Sequence, residues 1–390
     1  MHILHVIDSF SPATGGPPEA VRQLIRATRV NGTGAEAVCL DPPQAEFLNG
    51  LDCPLHALDQ SFLGRYAYSP RLWNWLKANA GRFDGIIMHG AWTFPGSAVR
   101  AAARRAQRPY GVFVHGALDP WFNRQYPLKH AKKLLYWPLQ YAVLRDAAAV
   151  FFTTKTERDL AKTSFRPNHW KSVVAPLGII EDQLAGRDAA AQVEEFYRVL
   201  PGLRGRRFLL FLARIHEKKG CDLLVEAFAQ VAAAFPVMHV VMAGPDQVGM
   251  QAKLETKAGQ LGIGERVHWP GMIGGDVKWG ALRACEALIL PSHQENFGVS
   301  VAEALLVGRP VLLSYAVNIW PEIENDGVGL ADDDTLEGTV RLLERWFSLP
   351  AAEQAAMAAR AQPCFAGRFS LARTAAAINE IFGSVKVENS

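Results

Sequence analysis

Short, almost uninterrupted apolar runs punctuate this chain, and between them lie longer segments whose apolar positions recur at helical spacing. In the first half Met1 to Ile7, Ala35 to Leu40, Gly85 to Met88, Tyr110 to Val114 and Ala147 to Phe152 read as strands. In the second half Arg207 to Ala213, Met238 to Ala243, Arg266 to Trp269, Ala287 to Leu290 and Pro310 to Ser314 do the same. Runs that are apolar at nearly every position suit strands covered on both faces, the condition of a parallel sheet wrapped by helices. A polar stretch rich in Asp, Glu and Arg follows Ile179 and marks a boundary near residues 180 to 205. The pattern predicts an α/β protein of two Rossmann-like halves, residues 1–180 and 205–370, with a helical segment, 371–390, after them. No repeat of roughly 20 to 50 residues is visible.

Composition changes this picture little. With 390 residues, 49% of them hydrophobic, the chain has core enough for two domains of ~100–200 residues each. The 41 basic and 38 acidic residues leave a net +3, so no global field points to nucleic acid, and any anion preference must be local. Cys39, Cys53, Cys221, Cys285 and Cys364 are scattered without CxxC or Cys/His spacing, which suits a reducing cytosol. The opening run is too short for a signal-peptide core, and no run reaches the ~18 apolar residues of a spanning helix. A cytoplasmic protein is expected.

Candidate chemistry gathers where strands run into loops, because ligands of open α/β sheets sit beyond the carboxyl ends of the strands. The run Pro291-Ser292-His293-Gln294-Glu295-Asn296-Phe297-Gly298 follows such a strand and opens an apolar helix, placing Glu295 in the loop and Glu303 about one turn into the helix. A helix N-terminus offers N–H groups to a phosphate, and each carboxylate can accept hydrogen bonds from vicinal hydroxyls. Arg214 and Lys219, five positions apart after the strand Phe211-Leu212-Ala213, can neutralise a diphosphate. Gly15 and Gly16 lie in a loop after the first strand, Gly244 follows Val241-Met242-Ala243, and Ile273 follows Trp269-Pro270-Gly271; each lets backbone approach a ligand or simply forms a turn. His115 ends Val112-Phe113-Val114, and His89, near Trp92, ends the preceding strand in the same style.

In sequence order these motifs resemble those of the retaining glycosyltransferases of family 4, with Ala213 where a glycine is usual. The resemblance implies a GT-B fold, two Rossmann-like domains facing each other across a cleft, with the final segment crossing back onto the first domain. It implies a hexosyltransferase of the EC 2.4 type that moves a sugar from a nucleoside diphosphate sugar to an acceptor hydroxyl with retention. Gly15 and Gly16 would line the diphosphate, while Gly244, Ile273, Asn296, Phe297 and Gly298 would surround the donor. Glu303 would hold the ribose and Glu295 the sugar hydroxyls. His115 would contact the donor near its anomeric carbon, Arg214 and Lys219 the leaving phosphate, and His89 and Trp92 the acceptor. No cofactor and no essential metal are expected; Asp332-Asp333-Asp334 reads as the cap of a helix starting near Thr335. A sugar-nucleotide epimerase of the same fold and a noncatalytic nucleotide-sugar-binding partner are the alternatives.

Residues 121–137 interleave cations with Trp, Tyr and Leu. They read either as an ordinary surface helix or as a contact with an anionic membrane face, which would suit a lipid-linked saccharide acceptor in bacterial exopolysaccharide or lipopolysaccharide assembly.

Overall fold

The near-continuous apolar runs are strands, and they assemble into two parallel sheets. The structure, a computed structural model, describes all residues except 15, 31, 60–63, 126, 177, 180–183, 185 and 389–390. The chain divides into two units, Met1–Ile180 with Ser370–Ser390, and Glu181–Phe369.

In the first unit β1 (His2–Ile7), β2 (Gly34–Cys39), β3 (Leu55–Ala57), β4 (Gly85–His89), β5 (Tyr110–Phe113), β6 (Ala149–Phe152) and β7 (Ser172–Val174) lie in the order β3-β2-β1-β4-β5-β6-β7. Helices α1 (Pro17–Val30), α2 (Pro70–Asn79), α3 (Phe94–Arg105), α4 (Pro120–Gln125), α5 (Pro127–Arg145) and α6 (Lys155–Ser164) connect them. Their starts follow local chemistry: the Ser69 hydroxyl accepts from the Leu72 N–H at 3.2 Å with Pro70 at the first helical position, and Thr154 accepts from the Glu157 N–H at 2.9 Å. The strands β4, β5 and β6 are buried at every position, which is why they read as unbroken apolar runs.

The second unit contains β8 (Arg207–Leu212), β9 (Met238–Ala243), β10 (Val267–Gly271), β11 (Ala287–Leu290), β12 (Val311–Ser314) and β13 (Gly329–Asp332), in the order β10-β9-β8-β11-β12-β13. Its helices are α7 (Ala189–Val199), α8 (Cys221–Val231), α9 (Gln251–Gln260), α10 (Gly275–Ala284), α11 (Val299–Leu306), α12 (Trp320–Asn325), α13 (Leu336–Ser348) and α14 (Ala351–Arg368). The polar stretch before residue 205 therefore contains a helix of this unit. Gly280 makes the contact of α10 with α7 possible, since a Cβ there would meet the Gln192 carbonyl at 1.9 Å. Asp276 ties the pair by accepting from Arg187 at 2.7 Å and from Gln192 at 3.0 Å.

The last helix, α15 (Leu371–Glu388), belongs to the first unit and packs on α1. Phe382 is fully buried over β4, where a Cβ on Gly85 would lie 2.6 Å from its ring. The Thr374 hydroxyl donates to the Pro176 carbonyl at 2.5 Å, and Thr33 to Asn379 at 3.0 Å.

One expectation needs correcting. The three consecutive aspartates do not cap a helix: Thr335 does, accepting from the Gly338 N–H at 3.0 Å. Asp332 and Asp333 pair with Arg341, while Asp334 faces His293 Nδ1 at 3.1 Å. Among the described residues no cluster of His, Cys, Asp and Glu could hold a metal ion. Residues 121–137 are split between α4 and α5, and Pro138 continues inside α5. Among the described residues no helix is long and apolar enough to cross a membrane.

Candidate active site

Three glycines allow the loops at the carboxyl end of the second sheet to close on one another. Gly220 has φ +65°, and a Cβ there would lie 2.0 Å from the Pro291 carbonyl oxygen. Gly244, at φ +153°, brings the loop after β9 against Ala213, whose carbonyl oxygen would be 1.8 Å from an added Cβ. Gly298, at φ +73°, turns the chain into α11 and leaves that helix without a side-chain cap. Its first N–H groups are thus open to an anion. Loop 291–298 is also braced from behind: the Glu295 N–H donates to Ala316 at 3.0 Å, the Glu295 carbonyl accepts from Asn318 at 2.9 Å, and Asn318 Nδ2 donates to Asn296 at 3.0 Å.

Into this frame the chain places two lysine–glutamate pairs. Lys219, 7% exposed, donates through Nζ to Glu295 Oε2, and Glu295 Oε1 accepts from the Asn296 N–H at 2.9 Å. Burial alone would push the Glu295 carboxyl up, but Lys219, helped by Lys218 and the Asn296 N–H, outweighs it and holds the group down at about 2. Glu295 is a carboxylate at neutral pH. On α11, Glu303 is 7% exposed and accepts from Lys278 Nζ of α10 at 2.5 Å, while the same ammonium lies 4.6 Å over the Trp279 ring. Arg214 is partly exposed after β8 and donates to Gln247 at 3.1 Å. Ile273 is half-buried after β10, and the Gly244 N–H donates to the Gly271 carbonyl at 2.9 Å. Phe297 is 4% exposed and packs edge-on against Phe369 at 5.6 Å, so its ring anchors the loop.

In the first unit His115 stands after β5 at φ +47°. The turn is fixed by buried Glu157, which accepts from the Gly116 N–H at 2.8 Å and from the Thr153 N–H and hydroxyl at 2.6 and 2.7 Å. His89 is not free for an acceptor, contrary to expectation. It is 2% exposed, and its Nε2 and Nδ1 are engaged by His5 at 3.0 Å and His115 at 3.2 Å. Trp92, at φ +73°, lines a cleft with Tyr66, Thr93, Tyr136, Leu139 and Gln140. Its indole N–H donates to the Ala117 carbonyl at 2.9 Å, and Thr93 donates to Asp8 at 3.2 Å. Burial, with Asp41 nearby and against the Thr93 hydrogen bond, raises the Asp8 carboxyl to about 6. Gly16 is exposed, a Cβ there would meet nothing within 4 Å among the described residues, and Gly15 lies outside them.

Sequence reasoning missed Lys278, His5, Asp8 and Glu157. A signal existed for Glu157, since Thr154-x-x-Glu157 has the spacing of a capping box. Asp8 directly follows the first strand, a position where ligands of such sheets sit. Lys278 and His5 carry no local mark, because their partners are 25 and 84 residues away.

Comparison with known proteins agrees with this architecture. The sequence profile of glycosyl transferases group 1 matches residues 194–362, and that of a glycosyl transferase 4-like domain matches residues 15–178. Over 125 residues, 31% of this chain and 27% of the relative, the sequence is 38% identical to a D-inositol 3-phosphate glycosyltransferase of Mycolicibacterium gilvum (strain PYR-GCK). Over 191 residues, 49% of this chain and 48% of the relative, it is 26% identical to the alpha-D-kanosaminyltransferase of Streptomyces kanamyceticus. The matches thus span between about a quarter and a half of the length of these curated relatives. The fold is similar to that of Anabaena HepE, solved in complex with UDP, with TM-score 0.80 and 19% identity over 98% of this chain and 100% of that one. It is also similar to WaaG, a glycosyltransferase involved in lipopolysaccharide biosynthesis, with TM-score 0.69 and 15% identity over 98% and 99%. The α/β architecture is that of GT-B proteins.

Proposed function

Because this chain belongs to the group 1 glycosyltransferases of family 4, we propose that it transfers a hexosyl group from a nucleoside diphosphate sugar to an acceptor hydroxyl with retention. The observation that carries the reading is the Lys219–Glu295 pair, its ammonium buried and its carboxylate half-buried, beside the uncapped N-terminus of α11. An ammonium whose remaining protons can reach a phosphate, next to open helix N–H groups, suits a departing diphosphate. In the step proposed, the bond from the anomeric carbon to the diphosphate oxygen breaks and the acceptor oxygen bonds to that carbon from the same face. The acceptor proton passes to the departing phosphate oxygen. Arg214 and Lys219 stabilise the leaving charge, Glu303 holds the ribose, and Glu295 holds the sugar. Both oxygens of Glu295 are already engaged, which favours a holding role over that of a nucleophile. The cations present would make a metal unnecessary.

We also infer that α5 faces an anionic lipid surface bearing the acceptor. Leu128, Leu135 and Leu139 are 88%, 81% and 57% exposed at helical spacing, with exposed Lys132 beside them. The setting would be surface polysaccharide assembly at the cytoplasmic face of a membrane. Co-sedimentation with phosphatidylglycerol vesicles, reduced by Leu135→Asp and absent with phosphatidylcholine, is the expected result; equal pelleting of both proteins would remove this reading.

The enzyme reading is tested by thermal shift and turnover with UDP-, GDP- and ADP-sugars, with and without EDTA. Stabilisation by one nucleotide, indifferent to chelation, with nucleotide release dependent on an added acceptor, is expected. Consumption of the nucleotide sugar without acceptor would indicate an epimerase, and no stabilisation by any would overturn the donor site.

A further inference from the structure

His5, His89 and His115 form a hydrogen-bonded row across β1, β4 and the turn after β5. His5 Nδ1 lies 3.0 Å from His89 Nε2, and His89 Nδ1 lies 3.2 Å from His115 Nε2. The rings lie edge to edge and nearly coplanar, with centroids 5.3 and 5.4 Å apart. A neutral imidazole carries one N–H, so two proton arrangements satisfy both bonds, all three rings protonated on Nδ1 or all three on Nε2. Any mixture sets two N–H groups or two lone pairs against each other. The end of the row decides between them. His5 Nε2 is fully buried and has no hydrogen-bonding partner among the described residues. The Nε2 arrangement would strand an N–H donor there, whereas the Nδ1 arrangement leaves an unused acceptor, and stranded buried N–H groups are the rarer of the two.

We propose that His5 and His89 are positioning residues that fix His115 as its neutral Nδ1–H tautomer, so that it presents one uncharged donor to an oxygen of a sugar substrate. The identity of that oxygen rests on the transferase reading; the tautomer does not. Burial depresses all three rings, His5 to about 3, His115 to about 4 and His89 well below its ordinary value, the last also through its two neighbours, so the row is neutral at physiological pH. Phe113 stacks on His115 at 5.7 Å and holds the outer ring in line.

The test is a long-range proton–nitrogen correlation on the full chain labelled with 15N-histidine at neutral pH, assigned with single His→Phe variants. Three Nδ1–H tautomers are expected, and an Nε2–H or doubly protonated ring at position 89 or 115 overturns the lock. His89→Phe keeps the aromatic row but removes both hydrogen bonds. It should release the His115 tautomer and lower kcat roughly tenfold, the scale of one hydrogen bond, with donor KM little changed. A released tautomer with wild-type kcat would overturn the positioning role. If the three Nδ1–H signals are present while no nucleotide sugar turns over, the lock stands and the transferase reading fails.

Discussion

In the first sheet the strand order reverses between β1 and β4, and in the second between β8 and β11, so each unit has its switch point at the corresponding place. Ligands of such sheets bind there. The chemistry at the two places differs. The first offers a neutral histidine row, a carboxyl raised by burial and an aromatic cleft. The second offers two half-buried lysine–glutamate pairs around an uncapped helix N-terminus. Topology says where a ligand of each unit would sit and the side chains say what chemistry it would meet, charge complementary to an anion at the second sheet and uncharged hydrogen-bonding groups at the first.

Lys219→Ala should break this contrast most severely. Turnover should fall about 10²–10³-fold through loss of charge stabilisation at the leaving group. Stability should fall by about 1–3 kcal/mol, because half-buried Glu295 loses the ammonium that offsets its desolvation. The double variant Lys219→Ala with Glu295→Gln should recover much of the melting temperature and none of the turnover. Recovery of both would reduce Lys219 to a structural role. Glu303→Ala should raise donor KM roughly tenfold with kcat nearly unchanged, the pattern of a lost ground-state contact; an unchanged KM would remove Glu303 from the site.

Gly220→Ala should cost about 1–3 kcal/mol from its left-handed φ, before the clash with Pro291 is counted. Gly16→Ala should lie within ~0.5 kcal/mol of wild type, since a Cβ there would meet nothing within 4 Å among the described residues. Chemical denaturation of both variants sharpens the comparison, and equal losses would contradict it.

Acid should separate the two regions as well. A histidine whose folded pKa is lowered contributes stability that is present above its ordinary value of about 6.5 and is lost as pH falls toward the depressed one. Amide protection at β1, β4 and β5, corrected for intrinsic exchange, should therefore decline below about pH 6.5. Asp8, raised to about 6, works the other way below that pH and softens the decline. Glu295 is depressed to about 2, so its own contribution to loop 291–298 should persist until the pH falls below about 4.5, although burial also lowers His239 on β9, to about 4, and His268 on β10, which softens that unit from about pH 6.5. Simultaneous loss in both regions would argue against this division.

Much of this division is legible in the sequence, for physical reasons. Strands such as β4 and β11 are buried on both faces and show as solid apolar runs. The edge strands β3 and β7 are three residues long and half-buried, so no run betrays them. Lys219, Gly220, Glu295 and Gly298 stand in strand–loop–helix contexts that mark a site, and the structure brings Lys219 onto Glu295. The Lys278 partnership with Glu303 and the His5 partnership with His89 arise when the sheet is assembled, and nothing local encodes them. His89 misled because a motif fixes the path of the chain, whereas packing decides which side chains remain available.

Hydrogen–deuterium exchange on the full chain with UDP, GDP and ADP, each added alone, tests the central claim most directly. One of these diphosphates should protect residues 214–220 and 295–303 of the second unit more strongly than any segment of the first. Protection confined to the first unit, or none at those two loops with any of the three, would contradict the assignment of the lysine–glutamate edge as the donor site.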